Sequence, residues 1–436
     1  MTYNYWNRER ELATREEIEE VQLRELKGVV RRCYENVAHY KRVMDEMGLK
    51  PDDVNSLADL LKFPLTVKTD LRDNYPFGMF AAPLSEIVRI HASSGTTGKP
   101  TVVGYTAHDI HEVWTEVMAR TCVCAGVTRD DVVQNAYGYG LFTGGLGFHY
   151  GAERVGATVI PISGGNTERQ IMLMQDFGST VITCTPSYAS YIAEVIKEQD
   201  VPLDRIKLRL GIFGAEPWSE KLREKIESSL NVSAIDIYGL SEVIGPGVSV
   251  ECVDKQGLHV WEDHFLVEAL DSDNMEPVAP GERGELVFTT LTKEGIPLIR
   301  YTTKDVSRLD VDKCSCGRWH ARHSKIMGRS DDMLIVRGIN VFPSQIEYVL
   351  MKHPTVGEYY EIIVDRKILD TLKVRVELTQ KSFSDKMRDL ETLKQELEHD
   401  LYTTLQVRAE VELVPPGTIP RSVGKAKRVI DLRKEM

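Results

Sequence analysis

The chain has 436 residues, 42% hydrophobic and 28% charged, with a formal net charge of −12. That length exceeds one ordinary core and predicts two or three domains of a soluble globular protein. The negative balance excludes a general nucleic-acid or anionic-membrane binder, while a local basic patch for a phosphorylated ligand stays open. Residues 1–20 are dense in Arg and Glu without an apolar run, which argues against a secretory signal. The least charged stretch, 135–154, is too broken by glycine to span a bilayer. A cytoplasmic protein with neither membrane nor nucleic-acid partner is expected.

In chain order, apolar residues at three- and four-residue intervals predict helix over 8–47. Segments 87–90 and 101–105 read as strands around a Ser/Thr/Gly loop. From about 106 the pattern alternates. Helices are expected at 108–124, 145–155, from Glu168, at 187–198 and from Glu220. Strands are expected at 131–136, 157–161, 180–184, 208–213 and 234–238. Such alternation implies a mostly parallel sheet covered by helices, with ligands at the carboxyl ends of its strands, where Gly214, Ala215, Glu216, Tyr238 and Gly239 fall. After about 245 the helices stop, and 265–270, 284–290 and 297–301 read as strands of a β subdomain over about 245–325. Beyond Gly328-Arg329-Ser330-Asp331-Asp332 follow a strand (333–337), a helix after Pro343, strands near 359–364 and 372–378, a helix (384–404) and a strand (408–414). The expected fold class is α/β: a large N-terminal domain, 1–329, with mostly parallel sheets and a β subdomain, and a small α+β C-terminal domain, 330–436.

The loop Ser93-Ser94-Gly95-Thr96-Thr97-Gly98-Lys99-Pro100 offers hydroxyls, unobstructed backbone N–H groups and one cation to a polyphosphate. Its two glycines permit the positive-φ turns that converge N–H groups on one anion. It is no Walker loop: only two residues separate the glycines, and Pro100 follows Lys99 where Ser or Thr should stand. Elsewhere, Glu242 in Tyr238-Gly239-Leu240-Ser241-Glu242 is a candidate Mg²⁺ ligand beside a triphosphate, although a carboxylate after a turn is commonplace. Asp305 in Thr303-Lys304-Asp305 could accept ribose hydroxyls or merely cap a turn. Lys425, in the glycine-bearing run Arg421-Ser422-Val423-Gly424-Lys425, is on its own one more solvated lysine. Tyr137-Gly138-Tyr139-Gly140-Leu141-Phe142 sets aromatic walls among glycines that leave room for an aryl ring, with Ile244, Gly245 and Pro246 closing another side; packing beside a tight turn is the plainer alternative.

Seven cysteines, at 33, 122, 124, 184, 252, 314 and 316, argue against a disulfide framework. Cys314-Ser315-Cys316-Gly317 forms a knuckle able to aim two thiolates at one ion. Cys252 and His259 complete a Cys₃His set suited to structural Zn²⁺, against the alternative of unpaired cytosolic thiols.

Together, Tyr5-Trp6-Asn7, the 93–100 loop, Gly214-Ala215-Glu216-Pro217, residues 238–247, 329–347 and 420–427 resemble the adenylate-forming superfamily of acyl-CoA synthetases, adenylation domains and luciferases. More narrowly the chain resembles the phenylacetate–CoA ligase family over nearly its entire length. One departure, Thr-Lys-Asp at 303–305 in place of Thr-Gly-Asp, leaves the carboxylate in place. The resemblance implies an AMP-forming ligase that joins an aromatic acid to ATP as an acyl-adenylate, releases pyrophosphate, and passes the acyl group to the thiol of coenzyme A. By the same resemblance Ser93–Lys99 hold the β- and γ-phosphates and Glu242 holds Mg²⁺. Ala215, Glu216, Asp236 and Tyr238 lie by the adenine, Gly239 binds ATP beside them, Asp305 binds ribose, Gly214 belongs to the acyl pocket, and Lys425 reaches the carboxylate and α-phosphate. The small domain is then mobile, with Asp331 at its hinge and Arg337 and Gly338 on the coenzyme A side. A homodimer is also implied. Phenylacetate is the expected acid; other expectations are a different aryl or indole acid, or a catalytically silent nucleotide-binding homologue.

Overall fold

A computed structural model describes residues 3–93, 100–331, 334–337, 339–366, 370–379, 387–421 and 428–434. The chain divides into two compact units. One comprises Met1–Cys184, Asp200–Ala215 and Asn231–Lys325; the other comprises Thr185–Gln199, Glu216–Leu230 and Ile326–Met436. The second unit therefore gathers the helices Pro186–Glu198 and Glu220–Leu230 with the residues beyond 325.

The first unit is built on strands β1 (Ile87–Ala92), β2 (Val102–Thr106), β3 (Val132–Asn135), β4 (Thr158–Ile160), β5 (Val181–Cys184), β6 (Leu210–Gly214) and β7 (Ser233–Leu240). These are followed by β8 (Gly245–Glu251), β9 (Leu258–Val260), β10 (Phe265–Leu270), β11 (Arg283–Thr290), β12 (Tyr301–Asp310) and β13 (Arg322–His323). The large sheet runs β10-β11-β12-β13-β9-β8-β7-β6-β5-β3-β4. Pairing is parallel from β4 to β7 and antiparallel from β7 onward. Every residue of β5 and β6 is buried, which explains their unbroken apolar runs: parallel strands are covered on both faces. Chain order reverses between β3–β4 and β5–β7, so the crevice at the carboxyl ends of β3 and β5 is a topological switch point. The strands after 245 continue this sheet through the β7–β8 hairpin instead of forming a detached one. β1 and β2 form a separate antiparallel pair around the 93–100 loop.

Three local expectations need correcting. The helix expected over 8–47 is three helices, Arg8–Glu11, Arg15–Asn36 and Ala38–Glu46. Thr14 and Glu17 form a reciprocal capping box that starts the second, and extended Val37 ends it. The helix expected over 108–124 begins as a π-helical segment, Asp109–Trp114, with the Thr115 hydroxyl donating to the Ile110 carbonyl at 2.6 Å. The strand expected at 297–301 begins only at Tyr301, because Pro297 lacks an N–H and Arg300 adopts a left-handed backbone, φ +46°.

In the second unit, strands Ala409–Val414, Asp370–Leu378, Val356–Arg366 and Val429–Asp431 form a sheet in that order. Leu393, Leu397 and Leu401, one helical turn apart on Met387–Leu405, join Ile362, Val364, Val374 and Val376 in its core.

Candidate active site

Strand β7 and the turn after it concentrate the expected residues of the first unit. Asp236 is buried near the strand's middle, its N–H donating to the Glu251 carboxylate at 2.8 Å. Two residues on, the Tyr238 hydroxyl donates to Asp305 Oδ2 at 2.7 Å, so the structure brings the tyrosine expected by the adenine and the carboxylate expected at the ribose together across 67 positions of sequence. At the end of β6, Gly214 has its Cα against the Ile237 backbone: a Cβ there would lie 2.1 Å from the Ile237 carbonyl oxygen. Ala215 follows at φ +71°. In the second unit, Glu216 accepts the Ser187 N–H at 2.8 Å, at the first turn of Pro186–Glu198.

Glu242 is buried on the turn between β7 and β8, with Lys68 Nζ 3.3 Å from its Oε1. Sequence reasoning passed over Lys68, and over Lys293, which is buried and donates from Nζ to the Glu242 carbonyl at 3.0 Å. Burial lowers the Lys293 amine to about 7 against the opposing pull of Asp109 and Glu242. The Tyr105 hydroxyl reaches the carbonyls of Ile244 (2.9 Å) and Ser241 (3.4 Å), and Trp114 Nε1 donates to that of Pro246 at 3.2 Å. No motif marks these residues; the fold alone carries them to the turn.

The aromatic segment leaves the carboxyl end of β3, at the switch point. Tyr137 is buried and stacks on Phe148 at 5.2 Å between centroids. The Tyr139 hydroxyl accepts from Asn135 Nδ2 at 2.8 Å and lies 3.2 Å from His149 Nδ1; burial pushes its phenol up to about 12. Ile244 is fully buried and Gly245 takes φ +112°, whereas Phe142 is exposed. The Ala92 N–H and the His91 ring both meet the Leu141 carbonyl, which ties the base of the Ser/Thr/Gly loop to this segment. Ser93 closes the loop's stem, its N–H donating to the Thr101 carbonyl at 2.9 Å. Ser94, Gly95, Thr96, Thr97, Gly98, Lys99, Gly338 and Lys425 lie outside the described residues. Asp331 is exposed and paired with Arg329 at 2.8 Å; Arg337 has φ +53° and donates to the Asp370 carbonyl.

A second constellation gathers Cys252, His259, Cys314 and Cys316, all buried, with ligand atoms within 4.8 Å of one another. Cys252 directly follows β8, His259 lies on β9, and the two other thiols flank a turn closed by the Gly317 N–H on the Cys314 carbonyl at 2.8 Å. The Cys252 and Cys314 sulfurs are 3.9 Å apart, and His259 Nε2 is 3.4 Å from the Cys316 sulfur. Zn–S bonds of about 2.3 Å set tetrahedral sulfurs roughly 3.8 Å apart, so this donor set matches a zinc ion in chemistry and spacing. Arg318 donates to the Cys316 sulfur at 3.4 Å, a charge that offsets surplus thiolate.

Comparison with known proteins identifies the family. The family model for the AMP-binding enzyme matches residues 33–291, and that for the AMP-binding enzyme C-terminal domain matches 338–433. The phenylacetate–coenzyme A ligase of Thermus thermophilus is 49% identical, over 98% of this chain and 99% of its own. That of Aromatoleum evansii is 50% identical, over 97% and 96%. Among solved structures, 2-hydroxyisobutyryl-CoA ligase in the postadenylation state with 2-HIB-AMP superimposes with a TM-score of 0.92 at 31% identity, covering 99% of this chain and 93% of that one. The same ligase with 2-HIB-AMP and CoA in the thioesterification state gives 0.72 over the same shares. The chain belongs to the phenylacetate–coenzyme A ligase family of AMP-binding enzymes.

Proposed function

We propose that this chain ligates phenylacetate to coenzyme A through phenylacetyl-adenylate, releasing pyrophosphate and then AMP. The observation that carries the reading is the run Asp236, Tyr238, Gly239 and Glu242 along one strand and its turn, with the Tyr238 hydroxyl on Asp305. A carboxylate is a poor electrophile, and AMP converts it into an acyl donor with a good leaving group. One carboxylate oxygen of the acid attacks the α-phosphorus, the bond to the pyrophosphate oxygen breaks, and pyrophosphate departs. Lys425 neutralises charge building on the α-phosphate oxygens, and the loop from Ser93 to Lys99 holds the departing phosphates through N–H groups, hydroxyls and one ammonium. Asp305, oriented by Tyr238, takes the ribose hydroxyls. The coenzyme A thiol, losing its proton, then attacks the acyl carbon and expels AMP.

Glu242 would hold Mg²⁺ together with phosphate oxygens, and the ion would neutralise charge on the triphosphate. We assign the aromatic acid to the wall formed by Tyr137, Tyr139 and Ile244 beside Gly245. We further read 330–436 as a domain that carries Lys425 in the first half-reaction and presents Arg337 and Gly338 in the second, about a hinge at Asp331. The Cys252, His259, Cys314, Cys316 set would hold structural Zn²⁺ through four protein donors, a set that would leave no place for substrate. Among the described residues, no helix is long and apolar enough to cross a membrane.

The test is acid-dependent ATP–pyrophosphate exchange over a panel of aromatic acids, followed by a thioester assay with coenzyme A. Exchange greatest with phenylacetate and conversion to its thioester are expected. Absence of exchange with every acid would defeat the ligase reading, and a stronger response to an indole or hydroxyphenyl acid would replace the substrate.

A further inference from the structure

We infer that Lys293 is a positioning residue: its buried side-chain nitrogen grips the peptide carbonyl of Glu242 and thereby aims that carboxylate at the nucleotide's divalent cation. The inference rests on the reading of Glu242 as the Mg²⁺ ligand and extends it to a residue outside the family motifs quoted above.

Residues 241–244 form a short reversal between β7 and β8. Four carbonyls in and beside it meet donors brought from elsewhere in the first unit: Ser241 and Ile244 meet the Tyr105 hydroxyl, Pro246 at the start of β8 meets the Trp114 indole, and Glu242 meets Lys293 Nζ at 3.0 Å. Only the last of these donors is an amine. Lys293 is 2% exposed, and its Nζ lies 5.1 Å from the centre of the Tyr105 ring, so lysine and tyrosine support each other beneath the turn. Asp109, wholly buried, fixes the segment that delivers the lysine by accepting the N–H groups of Glu294 (2.6 Å) and Gly295 (2.8 Å).

A buried amine is expensive to desolvate, and an apolar side chain of the same volume would fill this space more cheaply. What methionine or leucine could not do is bind the carbonyl of residue 242. That hydrogen bond fixes the plane of the peptide leading out of Glu242 and limits the directions its carboxylate can take.

The experiment compares Lys293→Met, Tyr105→Phe and Glu242→Gln with the unsubstituted enzyme. Two quantities are read: the Mg²⁺ concentration that half-saturates ATP binding, by calorimetry, and amide hydrogen exchange across 240–247. Lys293→Met should raise the half-saturating Mg²⁺ concentration roughly tenfold, as expected for loss of a buried hydrogen bond, and speed exchange within 240–247. Tyr105→Phe, which retains the ring, should shift both in the same direction by less, and it preserves the test if Lys293→Met fails to fold. A Glu242→Gln defect in Mg²⁺ dependence that neither Lys293→Met nor Tyr105→Phe shares overturns the positioning role. Unchanged Mg²⁺ dependence in all three variants overturns the assignment of Glu242 itself.

Discussion

The Tyr238 hydroxyl donates to Asp305 Oδ2 at 2.7 Å, joining a strand of the parallel run to one of the antiparallel extension. His323 packs edge-on against the Tyr238 ring at 5.1 Å, so the phenol is held from two sides. Removing the hydroxyl in Tyr238→Phe should leave the ring in place and loosen the carboxylate. The Michaelis constant for ATP should rise about tenfold with a smaller change in kcat, whereas Asp305→Asn should lose more of both. Steady-state kinetics with ATP varied provide the check.

Lys425→Ala should separate the half-reactions. Pyrophosphate exchange should fall by roughly a hundredfold or more, the size expected when a charge that stabilises the transition state is removed. Thioester formation from supplied phenylacetyl-adenylate and coenzyme A should stay within a few-fold. Equal loss in both steps would contradict the role given to this lysine.

Gly147 tests Pro246, the residue expected to close one side of the aryl pocket. A Cβ at this position would stand 2.6 Å from Pro246 Cγ and 3.0 Å from Trp114 Nε1. Alanine ordinarily favours a helix over glycine by about 1 kcal/mol, but here the contact must displace Pro246. Gly147→Ala should therefore raise the Michaelis constant for the aromatic acid about tenfold, with that for ATP little altered.

Metal analysis should find one zinc per chain. Cys314→Ser should abolish it and lower the melting temperature, and a strong chelator should reproduce the loss in the unsubstituted protein. A full melting temperature in a protein free of metal would overturn the structural zinc.

His323 makes stability depend on acid. Its Nδ1 meets the Ser324 carbonyl at 2.7 Å and must carry the proton, while Nε2 accepts from the Ser249 hydroxyl at 2.6 Å; the ring is thus satisfied as the neutral form. Burial lowers it from 6.5 to about 4. An unfolded chain binds this proton more readily, so stability is intact above about pH 6.5 and is lost as pH falls towards 4. The loss from this group is at most about 3 kcal/mol. His323→Gln should flatten the decline in melting temperature across that interval.

Alternating strands and helices between 130 and 240 were legible because each element's burial imposes its own repeat: unbroken apolar runs for two-face-buried strands, a 3.6-residue stripe for helices. The Cys₃His set was legible because its residue types are rare together, although their convergence within 4.8 Å required the β8–β9 pair and the 314–317 turn. Breaks at Val37 and Arg300 were not legible, since neither residue type announces an extended or left-handed backbone. The site's named carboxylates and glycines stood out through local spacing, which a chain carries along its own length. Their supports did not: Tyr105 lies 136 positions from Ser241, and Lys293 lies 51 from Glu242. By itself the sequence determined the family, the order of elements and the chemistry available at each motif. Tertiary structure alone decided that Tyr238 holds Asp305 and that a buried lysine holds Glu242, because hydrogen bonds between distant strands depend on sheet register, and register is a property of the whole fold.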